Sequence, residues 1–176
     1  MLRIRSLVAS LLCVAVGAAL LAAPALASTA HESATLDVGV LVQLNRIRTT
    51  HGLTSLHLNA SLTAAAEQHS RDMVAKGYFA HDSLGGPSFE KRLESYYPYG
   101  NYGYWSVGEN LFWESSTSIN ASAGIDAWMQ SPEHRANILS PNWREIGIAA
   151  ISVPSASGTF GGMPVTVITT DFGVRR

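Results

Sequence analysis

The hydrophobic period of this chain changes once, near residue 145, and this change constrains the fold more than any other feature. Between residues 36 and 139, apolar side chains recur every three or four positions, which is the spacing of amphipathic helices. Beyond that point, the run REIGIAAISV alternates apolar and small residues, and VTVITTDFG is rich in β-branched residues, as strands are. Helices followed by paired strands predict an α+β domain or a layered α-β-α domain.

The helical part divides into short segments with ordinary start and stop signals. The first apolar stripe begins at Leu36, and Gly52 follows its end. The last two strands are predicted to form an antiparallel hairpin across a turn-rich connector, residues 154–164. The stretch VGENLFWESS is expected to begin as a loop. Further helices are expected over about residues 59–76, 88–97 and 120–130.

The first 27 residues have the pattern of a secretory signal peptide. Arg3 and Arg5 provide a basic start, a long apolar run follows, and an A-L-A ending supplies small residues at the cleavage positions. The alternative is an uncleaved membrane anchor, because the apolar run is nearly long enough to span a bilayer. Pro24 and the A-L-A ending favour cleavage after Ala27.

The exported chain is expected to be one domain over residues 36–174, preceded by a flexible segment over 28–35. The single cysteine, Cys13, lies in the leader, so the mature chain would have no disulfide, zinc–thiolate site or cysteine nucleophile. Acidic residues outnumber basic ones and no basic cluster occurs, which disfavours nucleic acid as a partner. We expect a secreted monomer with no further membrane-spanning segment.

The stretch SPEHRANIL, residues 131–139, stops one helix and starts another. Serine is a favoured N-cap and proline is favoured at the first helical position, so Ser131 and Pro132 predict a restart. The restart places His134 in the first turn of the new helix, where its direction is fixed. A simpler interpretation is an ordinary helix start whose histidine packs or faces solvent.

Two further side chains fit a site with His134. His81 follows two aromatic residues in a glycine-rich loop, and Glu109 lies between apolar residues, where a buried carboxylate requires a partner. Two histidines and one carboxylate form a plausible zinc set, with water as the fourth ligand. The spacings between them are not diagnostic. His69, by contrast, lies on the buried side of a helix and is predicted to be a core residue.

The motifs of this chain, taken in order, resemble those of the CAP superfamily of cysteine-rich secretory, antigen 5 and plant pathogenesis-related proteins. The resemblance covers about residues 36–173 and is closest to compact bacterial members without disulfides. It implies a three-layer α-β-α sandwich with a central, mostly antiparallel sheet. The matching motifs are LVQLNRIRTTHGL, LTAAAEQHSRDMVAKGYFAHDS, FEKRL, VGENL, AWMQSPEHRANILSPNWREIGIA and TTDFG.

The resemblance also implies a cleft lined by two histidines and two acidic residues, which hold a divalent metal in several members. Here His81 and His134 match the histidines, and Glu109 matches the acid of the G-E-N motif. The second acid is replaced by Ser131, so the ligand cleft would contain these four residues, with a weaker metal site made by His81, His134 and Glu109. Zinc or another divalent metal is the expected cofactor.

Three functions remain open from the sequence. The first is a non-catalytic secreted protein that binds a sterol, another lipid or a protein, as the resemblance implies. An aromatic loop, residues 96–105, would add apolar surface beside the cleft, or would simply pack. The second is a metal-dependent extracellular hydrolase of peptides or cell-wall material. The third is a structural interaction module with a vestigial cleft.

Overall fold

The structure is a computed structural model that describes residues 30–176. The predicted signal peptide, residues 1–27, lies outside the described residues, so its cleavage stays a prediction. No helix within residues 30–176 has the length and apolar character needed to cross a membrane.

Five helices and five strands make up the described chain. The helices are α1 (Ala34–Thr50), α2 (Ala60–Lys76), α3 (Phe89–Tyr96), α4 (Ala121–Gln130) and α5 (Pro132–Ile138). The strands are β1 (His31–Glu32), β2 (His57–Leu58), β3 (Trp105–Glu114), β4 (Glu145–Val153) and β5 (Val165–Arg175).

The strands form one mixed sheet in the order β1-β4-β5-β3, and β2 adds a short parallel pairing with β4. Strands β4 and β5 pair antiparallel from Glu145 opposite Gly173 to Val153 opposite Val165, so the predicted terminal hairpin is confirmed. On the far side of β5, β3 pairs antiparallel over its whole length and forms an edge of the sheet.

Helices cover both faces of this sheet, which confirms the predicted three-layer α-β-α sandwich. On one face, α1, α4 and α5 bury apolar side chains such as Leu44, Trp128 and Ile138 against even-numbered residues of β4 and β5. On the other face, α2 and α3 cover odd-numbered residues of β3, β4 and β5. Strands buried on both faces lose a clear apolar and polar alternation, which explains why β5 is β-branched throughout.

The structure differs from the sequence prediction at two segments. Residues 105–114, which include the expected VGEN loop at residues 107–110, form the long strand β3, so Glu109 is a strand residue. Glycine and polar residues interrupt the pattern of β3, and its long pairing with β5 supplies the stabilisation that local propensity does not. Within the segment expected to be flexible, β1 pairs with β4 and Ser33 caps α1.

The predicted helix restart is confirmed. Ser131 has extended backbone angles and is both the C-cap of α4 and the N-cap of α5, and Pro132 follows it directly. The C-terminal end of α5 is tied to α1 by Arg48, whose guanidinium is completely buried. Arg48 donates to the carbonyl oxygens of Ile138 and Ser140 at 2.7 and 2.9 Å, and this bonding satisfies acceptors that the helix end leaves free.

Candidate functional site

Glu109 is the centre of a buried polar cluster at the edge strand of the sheet. Its side chain is 1% exposed, and both carboxylate oxygens have partners. Oε1 lies 2.7 Å from Nδ1 of His81, and Oε2 accepts a hydrogen bond from the guanidinium of Arg92. A carboxylate this deeply buried is stable only with such partners.

Arg92 joins three parts of the site. It projects from α3, is 3% exposed, and contacts the Glu109 carboxylate with one amino group. The other amino group donates to the backbone carbonyl of His81 at 2.6 Å. The same guanidinium therefore neutralises the buried acid and holds the loop from which His81 projects.

A second carboxylate, Asp171, lies directly opposite Glu109 on the neighbouring strand β5. Asp171 is completely buried, and neither of its oxygens has a hydrogen-bond donor within the described residues. Burial and the charge of Glu109 raise the pKa of Asp171 well above its usual value. Burial also raises the pKa of Glu109 to about 7, although Arg92 opposes this shift. One buried cation therefore faces two acids, and the negative charge belongs on Glu109 because Arg92 contacts that residue.

His81 presents one free ring nitrogen beside this cluster. Burial, together with the charge of Arg92, lowers its pKa below the usual value, which favours the neutral imidazole. An ionised Glu109 can only accept, so the proton of neutral His81 is assigned to Nδ1 and the lone pair to Nε2. The His81 side chain is 52% exposed, which leaves it accessible to a ligand.

His69 holds the loop that carries His81 through a hydrogen bond to its backbone. It is completely buried on α2, which confirms the prediction that it is a core residue. Nε2 of His69 lies 2.9 Å from the carbonyl oxygen of Ala80, the residue before His81. Burial lowers the pKa of His69 to about 4, so the ring stays neutral near pH 7 and Nε2 donates this bond.

A cavity of about 370 Å³ opens beside His81, within the size range of small-molecule pockets. The ring of Phe89 meets the His81 ring edge to face, with centroids 6.4 Å apart. Asn137 of α5 also lines the cavity and donates to the backbone carbonyl of Glu109 at 3.0 Å. The residues that line the cavity are His81, Asp82, Phe89, Glu90, Gly108, Glu109 and Asn137.

The structure brings His81 and Glu109 together, as expected, but places His134 and Ser131 differently. A side chain at Gly108 would meet Asn137, so position 108 of β3 faces the layer that contains α5. Successive residues of a strand point to opposite faces of the sheet, so Glu109 faces the other layer. His134 is half-buried on α5, and burial together with the charge of nearby His81 lowers its pKa below the usual value. Neither His134 nor Ser131 is among the residues that line the cavity.

The expected three-ligand metal set does not fit this arrangement. Both Glu109 oxygens already have partners, so a metal at Oε1 would compete with His81 and a metal at Oε2 would compete with Arg92. In residues 30–176, no three His, Cys, Asp or Glu side chains are grouped so that they could hold a metal ion. Glu109 instead has the geometry of an outer partner that orients His81.

Sequence reasoning missed Arg92, Asp171, Phe89 and Asn137 as site residues. One signal could have identified Asp171, because an acid inside the β-branched run VTVITTDFG must be buried and therefore needs a neutralising partner. No comparable signal exists for Arg92. A charged residue on a short amphipathic helix is usually exposed, and only the packing of α3 against α2 buries this one.

The comparisons with known proteins agree with this fold. A family model described as the cysteine-rich secretory protein family, CAP, matches residues 41–169. The protein YkwD of Bacillus subtilis (strain 168), which is described as uncharacterized, is 33% identical over 107 residues. That alignment covers 61% of this chain and 39% of YkwD, so the chain spans well under half the length of this relative.

Solved structures show the same architecture. An extracellular protein containing an SCP domain from Bacillus anthracis str. Ames matches with a TM-score of 0.61 and 23% identity, over 81% of this chain and 41% of that chain. An outer surface protein from Borrelia burgdorferi matches with a TM-score of 0.62 and 19% identity, over 84% of this chain and 100% of that chain. At these identities the likeness shows a shared fold.

Proposed function

Because the chain belongs to the cysteine-rich secretory protein family, CAP, we propose that it is a secreted, non-catalytic protein that binds a ligand in the cleft beside His81. The signal-peptide pattern supports export. The descriptions of the two matching structures, as an extracellular and an outer surface protein, support the same location.

The chemistry of the cleft favours a ligand that combines an apolar body with a hydroxyl or amide group. Phe89 supplies an aromatic wall, and Nε2 of neutral His81 supplies a hydrogen-bond acceptor. Glu109 orients the His81 ring, and the lone pair on Nε2 can accept a hydrogen bond from a neutral O–H or N–H group of the ligand. A sterol or another lipid alcohol has these properties, and so does the backbone of a protein ligand.

The observation that carries this proposal is the complete engagement of Glu109. Both of its oxygens are bound by His81 and Arg92 and its side chain is only 1% exposed, so a ligand in the cleft meets His81 and not this carboxylate. Its role is to hold His81 in one tautomer and one direction. A rigid acceptor beside an aromatic wall is suited to binding.

The experiment is fluorescence or calorimetric titration of the exported protein with cholesterol, 1-dodecanol and dodecane. We expect the two alcohols to bind and dodecane to bind more weakly, because dodecane cannot donate to His81. The variant His81→Leu should lose the preference for alcohols. The control is His51→Leu, which replaces an exposed histidine just after the end of α1. An equal affinity for dodecanol and dodecane would contradict the proposal.

Zinc binding is an alternative occupancy of the same site, with a reduced donor set, because the one lone pair on Nε2 of His81 cannot hold a cation and accept from an alcohol at once. We propose that His81 and His134 hold the cation, while Glu109 orients His81 as its hydrogen-bond partner. Two protein ligands bind zinc more weakly than three. Calorimetric titration with zinc at pH 7 should show heat for the native protein and none for His134→Ala. An absence of heat for the native protein would instead favour a structural module with a vestigial cleft.

The alternative function is an extracellular hydrolase of peptides or cell-wall material. One observation favours it, because a histidine oriented by a buried carboxylate has the arrangement of a general base and its orienting partner. The test is turnover of peptide and peptidoglycan substrates, with and without zinc. Turnover that is lost in a folded His134→Ala variant would place this function above binding.

A further inference from the structure

We propose that the aromatic loop, with the end of β5, forms a second binding surface for an acidic polysaccharide, separate from the cleft. The loop is not among the segments that line the cavity beside His81. Instead it exposes three tyrosines within six residues. These are Tyr99, Tyr102 and Tyr104, which are 45%, 44% and 37% exposed.

The loop is held firmly against the end of the sheet. Tyr104 and Arg176 exchange two backbone hydrogen bonds, at 2.8 and 3.1 Å, and so extend the pairing of β3 with β5. Arg175 donates to the carbonyl oxygen of Pro98 at 3.3 Å. Gly100, at φ +57°, makes the turn that brings Tyr102 back toward the sheet. A platform that is ordered before binding loses little conformational entropy when a ligand arrives.

Two guanidinium groups are placed among these rings. The Arg175 guanidinium carbon lies 3.7 Å from the ring centre of Tyr97 and 5.2 Å from that of Tyr102. The guanidinium carbon of Arg176 lies 4.7 Å from the ring centre of Tyr104. Stacking on an aromatic face leaves the N–H edges of a guanidinium able to bind a carboxylate. Glu145, an acid in contact with Tyr97, already accepts from that phenol and from Asn59.

The composition of the loop favours a sugar polymer as the occupant. Residues 98–104 are tyrosine, glycine, asparagine and proline, which supply aromatic faces and polar groups and no aliphatic side chain. Aromatic rings provide flat apolar faces for the C–H faces of pyranose rings, and phenol and amide groups can bond to hydroxyls. The two arginines then select sugars that carry a carboxylate.

A nucleic acid is a weaker match for the same surface. It would also stack on tyrosines and pair with arginines. However, binding to a phosphate backbone depends on many cationic contacts, and the whole chain has a formal net charge of −1 with only two arginines at this surface. A uronic acid polymer presents one carboxylate per sugar, and each of its pyranose rings offers a C–H face to a tyrosine.

The test is calorimetric titration of the exported protein with a hexamer of β-1,4-linked mannuronate, with neutral mannohexaose and oligothymidylate for comparison. We expect mannuronate to bind about tenfold or more tightly than either of the others. Tyr102→Ala should weaken mannuronate binding by about tenfold. Arg176→Gln should weaken it by a few-fold and reduce its dependence on salt.

The matched control is Leu84→Ala, which removes an exposed apolar side chain (54% exposed) from another loop and should leave the affinity unchanged. If Tyr102→Ala fails to fold by circular dichroism, Tyr99→Ala replaces it. His81→Leu should bind mannuronate normally, which separates this surface from the cleft. Oligothymidylate or mannohexaose binding as tight as mannuronate, or equal affinities for Tyr102→Ala and Leu84→Ala, would overturn the proposal.

Discussion

At the scale of single residues, the site depends on how few charges the interior can hold. Glu109, Asp171 and Arg92 are all buried, and of the two acids only Glu109 is in contact with the Arg92 guanidinium. The arrangement is stable because one proton and one guanidinium together neutralise two carboxyl groups. The direction of His81 follows from this balance, since the same carboxylate and the same arginine contact its ring and its backbone.

Arg92→Met tests this balance. Removing one partner of a buried ion pair typically costs about 3–5 kcal/mol, so we expect a large loss in the free energy of unfolding. The loss should be greater at pH 8 than at pH 5, because Glu109 and Asp171 can take up protons in acid. Urea unfolding at both pH values measures it. Arg71→Met breaks an exposed pair with Glu32 and should cost less than about 1 kcal/mol.

A second residue-scale prediction concerns Asp37. Burial raises the pKa of Asp37 to about 7, against the hydrogen bond that Oδ1 accepts from Ala150 at 2.8 Å. A folded-state pKa above the unfolded value of 3.8 means that ionisation destabilises the fold, with a cost that builds as the pH rises from 4 to 7.

The variant Asp37→Asn keeps the acceptor oxygen and removes this cost. We expect it to be more stable than the native protein by about 1 kcal/mol at pH 8, a discounted value because solvent screens a half-buried carboxylate. Near pH 4 the difference should vanish. Thermal unfolding at the two pH values decides this, with the exposed acid Asp126 changed to Asn as the control. A gain in stability that is larger at pH 4 than at pH 8 would contradict a raised pKa for Asp37.

At the scale of elements, the close approach of α2 to β4 sets the thickness of the sandwich. Gly147 of β4 faces the first turn of α2, and a Cβ there would lie 2.0 Å from the carbonyl carbon of Leu62 and 2.2 Å from the backbone nitrogen of Thr63. Backbone atoms cannot move aside as a flexible side chain can. The glycine therefore allows α2 to lie directly on the strand.

Gly147→Ala should separate these two elements. We expect a loss of about 3 kcal/mol or more in stability, at the upper end of the cost of overpacking. The control is Gly124→Ala in α4, where the added Cβ would make ordinary contact, 3.5 Å from Cδ1 of Ile168. That change should be neutral or stabilising by up to about 1 kcal/mol, because alanine is the better helix former. Chemical unfolding of both variants gives the comparison, and equal effects would refute it.

At the scale of the whole molecule, the cleft forms where the two helical layers meet at the edge of the sheet. The loop after α2 brings His81 from one layer, and α5 brings Asn137 from the other. Strand β3 has no further strand outside it in the described chain, so both layers can reach its edge. The side chain of Asn137 occupies that edge by bonding to the carbonyl of Glu109.

Export of the whole chain has a direct test. Expression in a bacterial host should release a protein whose N-terminus is Ser28, as intact-mass measurement would show. Such a protein would contain no cysteine, so its Tm should not change with reducing agent. A membrane-bound product that keeps residues 1–27 would support the alternative of an uncleaved anchor.

Local signals were sufficient for much of this fold. Periodicity predicted the helices and the terminal hairpin, and capping chemistry predicted the restart at Ser131 and Pro132. Strand β3 was not predicted, because its pattern carries no local preference and it forms through pairing with β5. In the candidate site, His81 and Glu109 were identified as neighbours, but Glu109 was expected to be a free metal ligand.

The sequence by itself determined which segments are helical, that the last two strands pair as a hairpin, and that His134 lies in the first turn of α5. Each of these depends on neighbours within a few residues, which a local pattern contains. Only the tertiary structure decided that Asp171 lies opposite Glu109 and that Arg92 is buried between α3 and the sheet. The charge state of the site depends on the register of β3 with β5 and on how closely α3 packs, which buries Arg92. Both are set by contacts between residues far apart in the chain.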